Sequence, residues 1–366
     1  MIRRQAVTLS FVMLSFLASG QTPRPQMPVR VVSPEVHADR TVTFRLRALN
    51  AKTVALQGEL TPKPLPLSKS DPETGLWTVT TGALQPDTYS YSFRVDDVTV
   101  PDPSNPEIKA GESSFANVVS IPGETPHPWD VQDVPHGIVH RHSYRSTAAS
   151  DTRQVVVYTP PGYDAASGTK YPVLYLLHGS GDLSTSWVDH GKANWILDNL
   201  IAQKKAKPML VVMPYGRLFR TTERSREAAE TNLKRFESDL LESVIPLVEK
   251  GYKVNASKAS RALAGLSMGG GQTLYAGLRH PELFDSLLAF SPSVTGADAF
   301  AAASLKAPRL FWVGIGKDDF LIAENEKFNK FLTESEVKHT YKVTEGAHNW
   351  LVWRRYLSET VPMLFQ

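Results

Sequence analysis

The chain has 366 residues, enough for two domains and a large buried core. Its 40 Lys and Arg against 37 Asp and Glu leave a net charge of +3, spread along the chain without the basic stripe that nucleic-acid binding needs. The absence of cysteine excludes disulfides, thiol catalysis and Cys-ligated zinc.

At the N-terminus Arg3 and Arg4 precede an apolar run over residues 6–18, and Ala18-Ser19-Gly20 offers small residues before Gln21. This layout predicts a secretory signal peptide over residues 1–20, and the run is too short and too rich in serine for a membrane span. The expectation is a secreted or periplasmic protein with no membrane association after cleavage. Over residues 29–122 short stretches alternate between apolar and polar, as at 41–46, 53–56 and 89–95, with the turn cluster Asp71-Pro72-Glu73-Thr74-Gly75 between them. That texture predicts a small β-sandwich, with Trp77, Tyr89 and Phe93 read as its core rather than as a sugar-stacking surface. Residues 123–134 are proline-rich and read as a linker.

From residue 155 onward strands and helices alternate, which predicts a doubly wound, mostly parallel sheet. The apolar strand over 171–177 runs directly into His178-Gly179-Ser180-Gly181, a glycine-containing turn in which His178 supports the loop. Trp187 follows, and Asn194 and Trp195 open the next helix as capping and core residues. After the strand over 209–214 come Tyr215 and Phe219, placed with Trp187 and Trp350 as candidate walls of a substrate pocket at the C-terminal edge of the sheet. The basic run from Arg217 to Arg226 reads as a solvated loop that borders the pocket, ahead of a helix over 227–250.

Gly265-Leu266-Ser267-Met268-Gly269 lies between a short apolar strand and a helix. The turn is tight enough that side chains would collide at the flanking positions, so glycine is needed there, and Ser267 projects above the sheet as a nucleophile. A serine nucleophile needs a base, and the base needs a carboxylate to fix its tautomer. The strand over 310–316 ends at Lys317-Asp318-Asp319, and either aspartate could serve as that acid or cap a helix. His348 sits on a loop after a predicted strand over 337–343 and before a helix over 350–357. His339 is its competitor but falls inside the predicted strand, and His280 reads as a partner for a helix C-terminus.

Several of these segments together resemble one family. Tyr158-Thr159-Pro160-Pro161-Gly162-Tyr163, Leu177-His178-Gly179, Gly265 to Gln272 and Gly346-Ala347-His348-Asn349-Trp350 look like the carbohydrate esterases of the feruloyl and acetylxylan type, whose relatives include enterochelin esterases and esterase D. The resemblance covers residues 135–366 and implies an α/β-hydrolase. It also implies a cofactor-free, metal-free serine esterase outside the cytoplasm. The family's acid lies in a Gly-x-x-Asp segment, which puts the role on Asp319 with Asp318 as fallback. In that fold the amides of Ser180 and Met268 would form the oxyanion hole. Residues 75–105 resemble the immunoglobulin-like module of glycogen-branching enzymes, which often precedes such esterases. The implied substrate is an acylated oligo- or polysaccharide, with a feruloyl or acetyl group on xylan. A siderophore esterase and a non-catalytic carbohydrate-binding protein on a hydrolase fold are the alternatives. Because the chemistry falls wholly within residues 135–366, the earlier region should be dispensable for small soluble esters.

Overall fold

The structure, a computed structural model, describes residues 30–218, 225–294 and 306–366. The expected signal segment and Phe219 lie outside the described residues. Val32–Gln366 form one compact unit.

The first part of that unit is all-β. Its strands are β1 (Glu35–Val36), β2 (Val42–Arg47), β3 (Val54–Gly58), β4 (Leu65–Pro66), β5 (Ser68–Asp71), β6 (Leu76–Thr80), β7 (Asp87–Val95), β8 (Val98–Val100), β9 (Ile108–Ala110) and β10 (Phe115–Ile121). They pair as two sheets, β1-β2-β6-β5 and β4-β3-β7-β10-β9, with β8 on β7. Alternation in the sequence sends Phe44, Leu46, Leu56 and Tyr91 into a shared core, and Trp77, Tyr89 and Phe93 join them there as expected.

The second part is built on eight strands, β11 (Ile138–Ser146), β12 (Asp151–Thr159), β13 (Val173–Leu177), β14 (Leu210–Pro214), β15 (Arg261–Leu266), β16 (Ser286–Phe290), β17 (Leu310–Gly316) and β18 (Thr340–Thr344). The sheet order is β11-β12-β14-β13-β15-β16-β17-β18. β12 runs antiparallel to both neighbours, and every pairing from β14 to β18 is parallel. β13 to β17 are largely apolar because both faces are covered, whereas the edge strand β18 is mixed and partly exposed. Along β13, Val173, Tyr175 and Leu177 enter one core while Leu174 and Leu176 enter the other. The helices are α1 (Ser186–Asp189), α2 (Ala193–Ala202), α3 (Arg226–Asp239), α4 (Ile245–Gly251), α5 (Met268–Arg279), α6 (Ile322–Glu334) and α7 (Trp350–Thr360). Leu233, Phe236, Val248, Leu274 and Leu332 of α3 to α6 cover one face; Trp187, Ile196, Leu197, Tyr356 and Leu357 of α1, α2 and α7 cover the other. The helix predicted over 227–250 is interrupted by a wider π turn at Leu240–Val244, ahead of Pro246 in the first turn of α4.

Residues 123–134 are packed rather than free. Trp129 is buried in the core of the second part, and the Asn199 amide on α2 donates to the carbonyls of Pro128 and Asp130, both at 2.8 Å. The segment that suggested a tether is instead a series of turns bonded to α2.

Candidate active site

The parallel strands end on one edge, and the loops at that edge carry His178, Ser267, Asp319 and His348. Ser267 occupies the turn between β15 and α5 with φ 53° and ψ −116°, a conformation that side chains rarely adopt. Its surroundings impose it. A Cβ on Gly265 would lie 2.4 Å from the Gly269 carbonyl oxygen, and one on Gly269 would lie 2.6 Å from that of His178. The Ser267 N–H donates to the Phe290 carbonyl at 2.9 Å, and its own carbonyl accepts from Gly271 and Ser293. Met268 is the first residue of α5, so its N–H has no acceptor within the helix.

His348 Nε2 is 2.9 Å from Ser267 Oγ, and His348 Nδ1 is 2.8 and 3.0 Å from the two carboxylate oxygens of Asp319. A carboxylate only accepts, so Nδ1 carries the proton and Nε2 is left to accept from the serine hydroxyl. Asp319 is 1% exposed. Burial raises its pKa, but hydrogen bonds from His348 and from the Leu321 N–H outweigh that and hold the carboxyl below its ordinary value. Asp318 is exposed, its backbone N–H bonded to Gly346. The structure thus brings Ser267, His348 and Asp319 together and leaves Asp318 aside. His339 precedes β18 instead of lying within it, because the strand starts at Thr340, and its ring is 2.8 Å from Asn329 Oδ1 on α6.

The loop after β13 runs beside Ser267, since a Cβ on Gly179 would lie 3.4 Å from that of Ser267. His178 is buried, with Nδ1 donating to the Gly179 carbonyl at 2.8 Å and Nε2 accepting the Gly216 N–H at 2.9 Å. Burial lowers its pKa, which keeps it neutral and makes it a brace between two loops. Arg217 donates to Ser180 Oγ at 2.7 Å and lies 2.9 Å from Glu112, which belongs to the loop between β9 and β10. The Tyr215 hydroxyl donates to the same carboxylate, and the Glu112 N–H donates to the Gly181 carbonyl at 2.9 Å. Lys109 of β9 adds an ion pair with Asp182 at 3.3 Å. The all-β region therefore reaches the rim of the site.

Two of the four expected pocket residues are displaced from that role. Trp187 is 1% exposed and Trp350 2%; their rings pack edge to face at 5.0 Å, and Trp187 Nε1 donates to the Leu177 carbonyl. Both turn inward beneath the loops and have no surface to offer a substrate. Tyr215 sits at the rim, but its ring is already engaged by His178 and by the Arg153 guanidinium, 4.5 Å from the ring centroid. Among the described residues, Phe320 is an exposed aromatic at the site, 76% exposed, with its ring 4.5 Å from that of His348. Its signal in the sequence was an apolar aromatic directly after two aspartates. Trp353 packs edge-on to His348 at 4.9 Å and donates to Ser291 Oγ. Among the described residues no cluster of three His, Asp or Glu converges in a metal-binding arrangement.

A central parallel sheet with one antiparallel strand, helices on both faces and a strained serine between strand and helix define an α/β-hydrolase. The esterase family's sequence profile matches residues 146–364, and the chain belongs to that family. An endo-1,4-beta-xylanase/feruloyl esterase of Xylanibacter ruminicola is 32% identical over 342 residues, 91% of this chain but 46% of that protein, so the chain spans about half the relative's length. Among solved structures, a ferulic acid esterase of Anaeromyces mucronatus superposes with a TM-score of 0.60 at 23% identity, covering 66% of this chain and 96% of that one. An enterobactin esterase of Shigella flexneri superposes with a TM-score of 0.69 at 19% identity, covering 89% of this chain and 93% of that one.

Proposed function

We propose that this protein is a serine esterase that removes acyl groups, feruloyl or acetyl, from a plant polysaccharide such as xylan. The observation that carries the chemistry is the continuous hydrogen-bonded relay from Ser267 Oγ through His348 to Asp319. His348 Nε2 takes the serine proton as Oγ attacks the ester carbonyl, and the Asp319 carboxylate stabilises the imidazolium that forms. The carbonyl oxygen becomes an oxyanion between the amides of Met268 and Ser180. A donor of this kind contributes about 3 kcal/mol because it is oriented before the charge develops. His348 then protonates the departing sugar alcohol, and water repeats the sequence on the acyl-enzyme. Phe320, exposed beside His348, is placed to face an aromatic acyl group or a sugar ring.

The substrate class rests on the similarity to the xylanase/feruloyl esterase, and export from the cytoplasm rests on Arg3, Arg4 and the apolar run after them. Full-length protein assayed on methyl ferulate, acetylated xylan, an aryl acetate and enterobactin tests the substrate. Highest kcat/KM on the feruloyl or acetyl esters is expected. A clear preference for enterobactin would replace the polysaccharide with a siderophore, and no hydrolysis of any ester would leave a non-catalytic binding protein.

A further inference from the structure

Glu59 belongs to the all-β region and lies 289 residues before His348 in the sequence, yet it holds the loop on which His348 sits. It follows β3, whose last residue, Gly58, has φ +137°; a Cβ there would lie 2.3 Å from the Ser90 carbonyl oxygen. That close approach lets the Glu59 N–H donate to the same carbonyl at 2.9 Å. One carboxylate oxygen of Glu59 accepts from the Ser90 N–H and hydroxyl, both at 2.8 Å, and is 3.4 Å from His190 Nε2. The other accepts the backbone N–H of Trp350 at 3.1 Å.

Trp350 is the first residue of α7, two positions beyond His348. The Asn349 side chain caps the Val352 N–H, so Glu59 supplies the acceptor for a neighbouring helix-terminal amide that the chain's own cap does not reach. Its negative charge also suits the positive end of the helix. Burial raises the Glu59 pKa, but the neighbouring His190 side chain and the Ser90 N–H outweigh that and hold the carboxyl below its ordinary value. Burial pushes the His190 pKa down.

One turn further along α7, Arg354 donates to Asp87 at 3.0 Å and to the Thr88 carbonyl. Both contacts join α7 to the all-β region, but they act at different places. Asp87 holds the shaft of the helix; Glu59 holds the point where the His348 loop enters it.

We propose that Glu59 is a positioning residue for the esterase reaction, setting the place of His348 through the Trp350 N–H. This rests on the serine-esterase function proposed above. A glutamine at position 59 cannot accept from both Ser90 and Trp350, because one of its two terminal atoms is a donor. Saturation kinetics on an aryl acetate with Glu59→Gln, Glu59→Ala and Asp87→Asn, each below its melting temperature, distinguish placement from stability. The low-field proton resonance of His348 Nδ1–H is followed in parallel. Both Glu59 variants are expected to lose roughly tenfold or more in kcat with KM unchanged, and to shift or broaden that resonance. Asp87→Asn is expected to lower the melting temperature while keeping kcat close to wild type. Wild-type kcat and an unchanged resonance in Glu59→Gln would overturn the inference, as would an equal kcat loss in Asp87→Asn. Ser267→Ala, assayed alongside, separates the two claims. Activity remaining there removes the serine itself, whereas an inactive Ser267→Ala beside fully active Glu59 variants removes only the positioning role.

Discussion

Ser267 is held at a backbone conformation that costs about 1–3 kcal/mol and persists only because its surroundings over-determine it. Three backbone hydrogen bonds and the collision-free passage at Gly265 and Gly269 supply that constraint. At the same scale the two adjacent aspartates differ by environment alone. Asp319 is buried against His348 and Asp318 is exposed, so Asp319→Asn should lower kcat by about four orders of magnitude, the size of loss expected when a histidine's tautomer loses its anchor. Asp318→Asn should stay near wild type. Steady-state kinetics of the two variants check this, and the reverse ranking would transfer the role to Asp318. The choice between them was open in the residues themselves and leaned on family resemblance, because both follow the same strand. The inward turn of Trp187 and Trp350 was not legible, since a loop's position in the chain does not say which way its side chains point.

Elements explain why the site forms where it does. β13, β15 and β17 were readable as apolar runs, and their ends place the oxyanion loop, the serine and the acid on one edge. β18 was read three residues too early, which put His339 inside it; the alternation of residues 337–343 begins before the paired part of the strand. The contact between β13 and α5 is closest at Gly269, where a methyl group would sit 2.6 and 2.7 Å from two backbone carbonyl oxygens. Neither carbonyl is a flexible side chain that could move aside, so Gly269→Ala must displace the β13 loop or the first turn of α5. A melting temperature several degrees lower and a loss of most esterase activity are expected, measured by circular dichroism and ester hydrolysis on the same preparation. Wild-type activity in that variant would mean that the turn is looser than its geometry indicates.

At the scale of the whole molecule, the all-β region and the hydrolase sheet share their polar interior. Arg354 is 0% exposed and paired with Asp87, Glu59 meets Trp350, and Glu112 and Lys109 brace the loop that carries Ser180. Sequence texture separated the two regions and suggested that the second works alone on small esters. It could not show these contacts, because each joins residues with no local pattern, about 70 to 290 positions apart. A chain shortened to residues 128–366 would lose the Asp87 and Thr88 partners of Arg354 and the Glu59 acceptor of the Trp350 N–H, and would open to water the face of α7 that the all-β region covers. That chain should melt well below the full-length protein and hydrolyse aryl acetates poorly. Near-normal stability and kcat/KM on that small ester would mean that the all-β region is an accessory after all.

The central claim is that Ser267 is the nucleophile of an esterase, and the most direct measurement is kcat/KM on an aryl acetate for wild type and Ser267→Ala, each shown to be folded by circular dichroism. A loss of at least about a thousandfold in the folded variant is expected, because the acyl-enzyme can no longer form. A folded Ser267→Ala that keeps more than a few per cent of wild-type activity would contradict it.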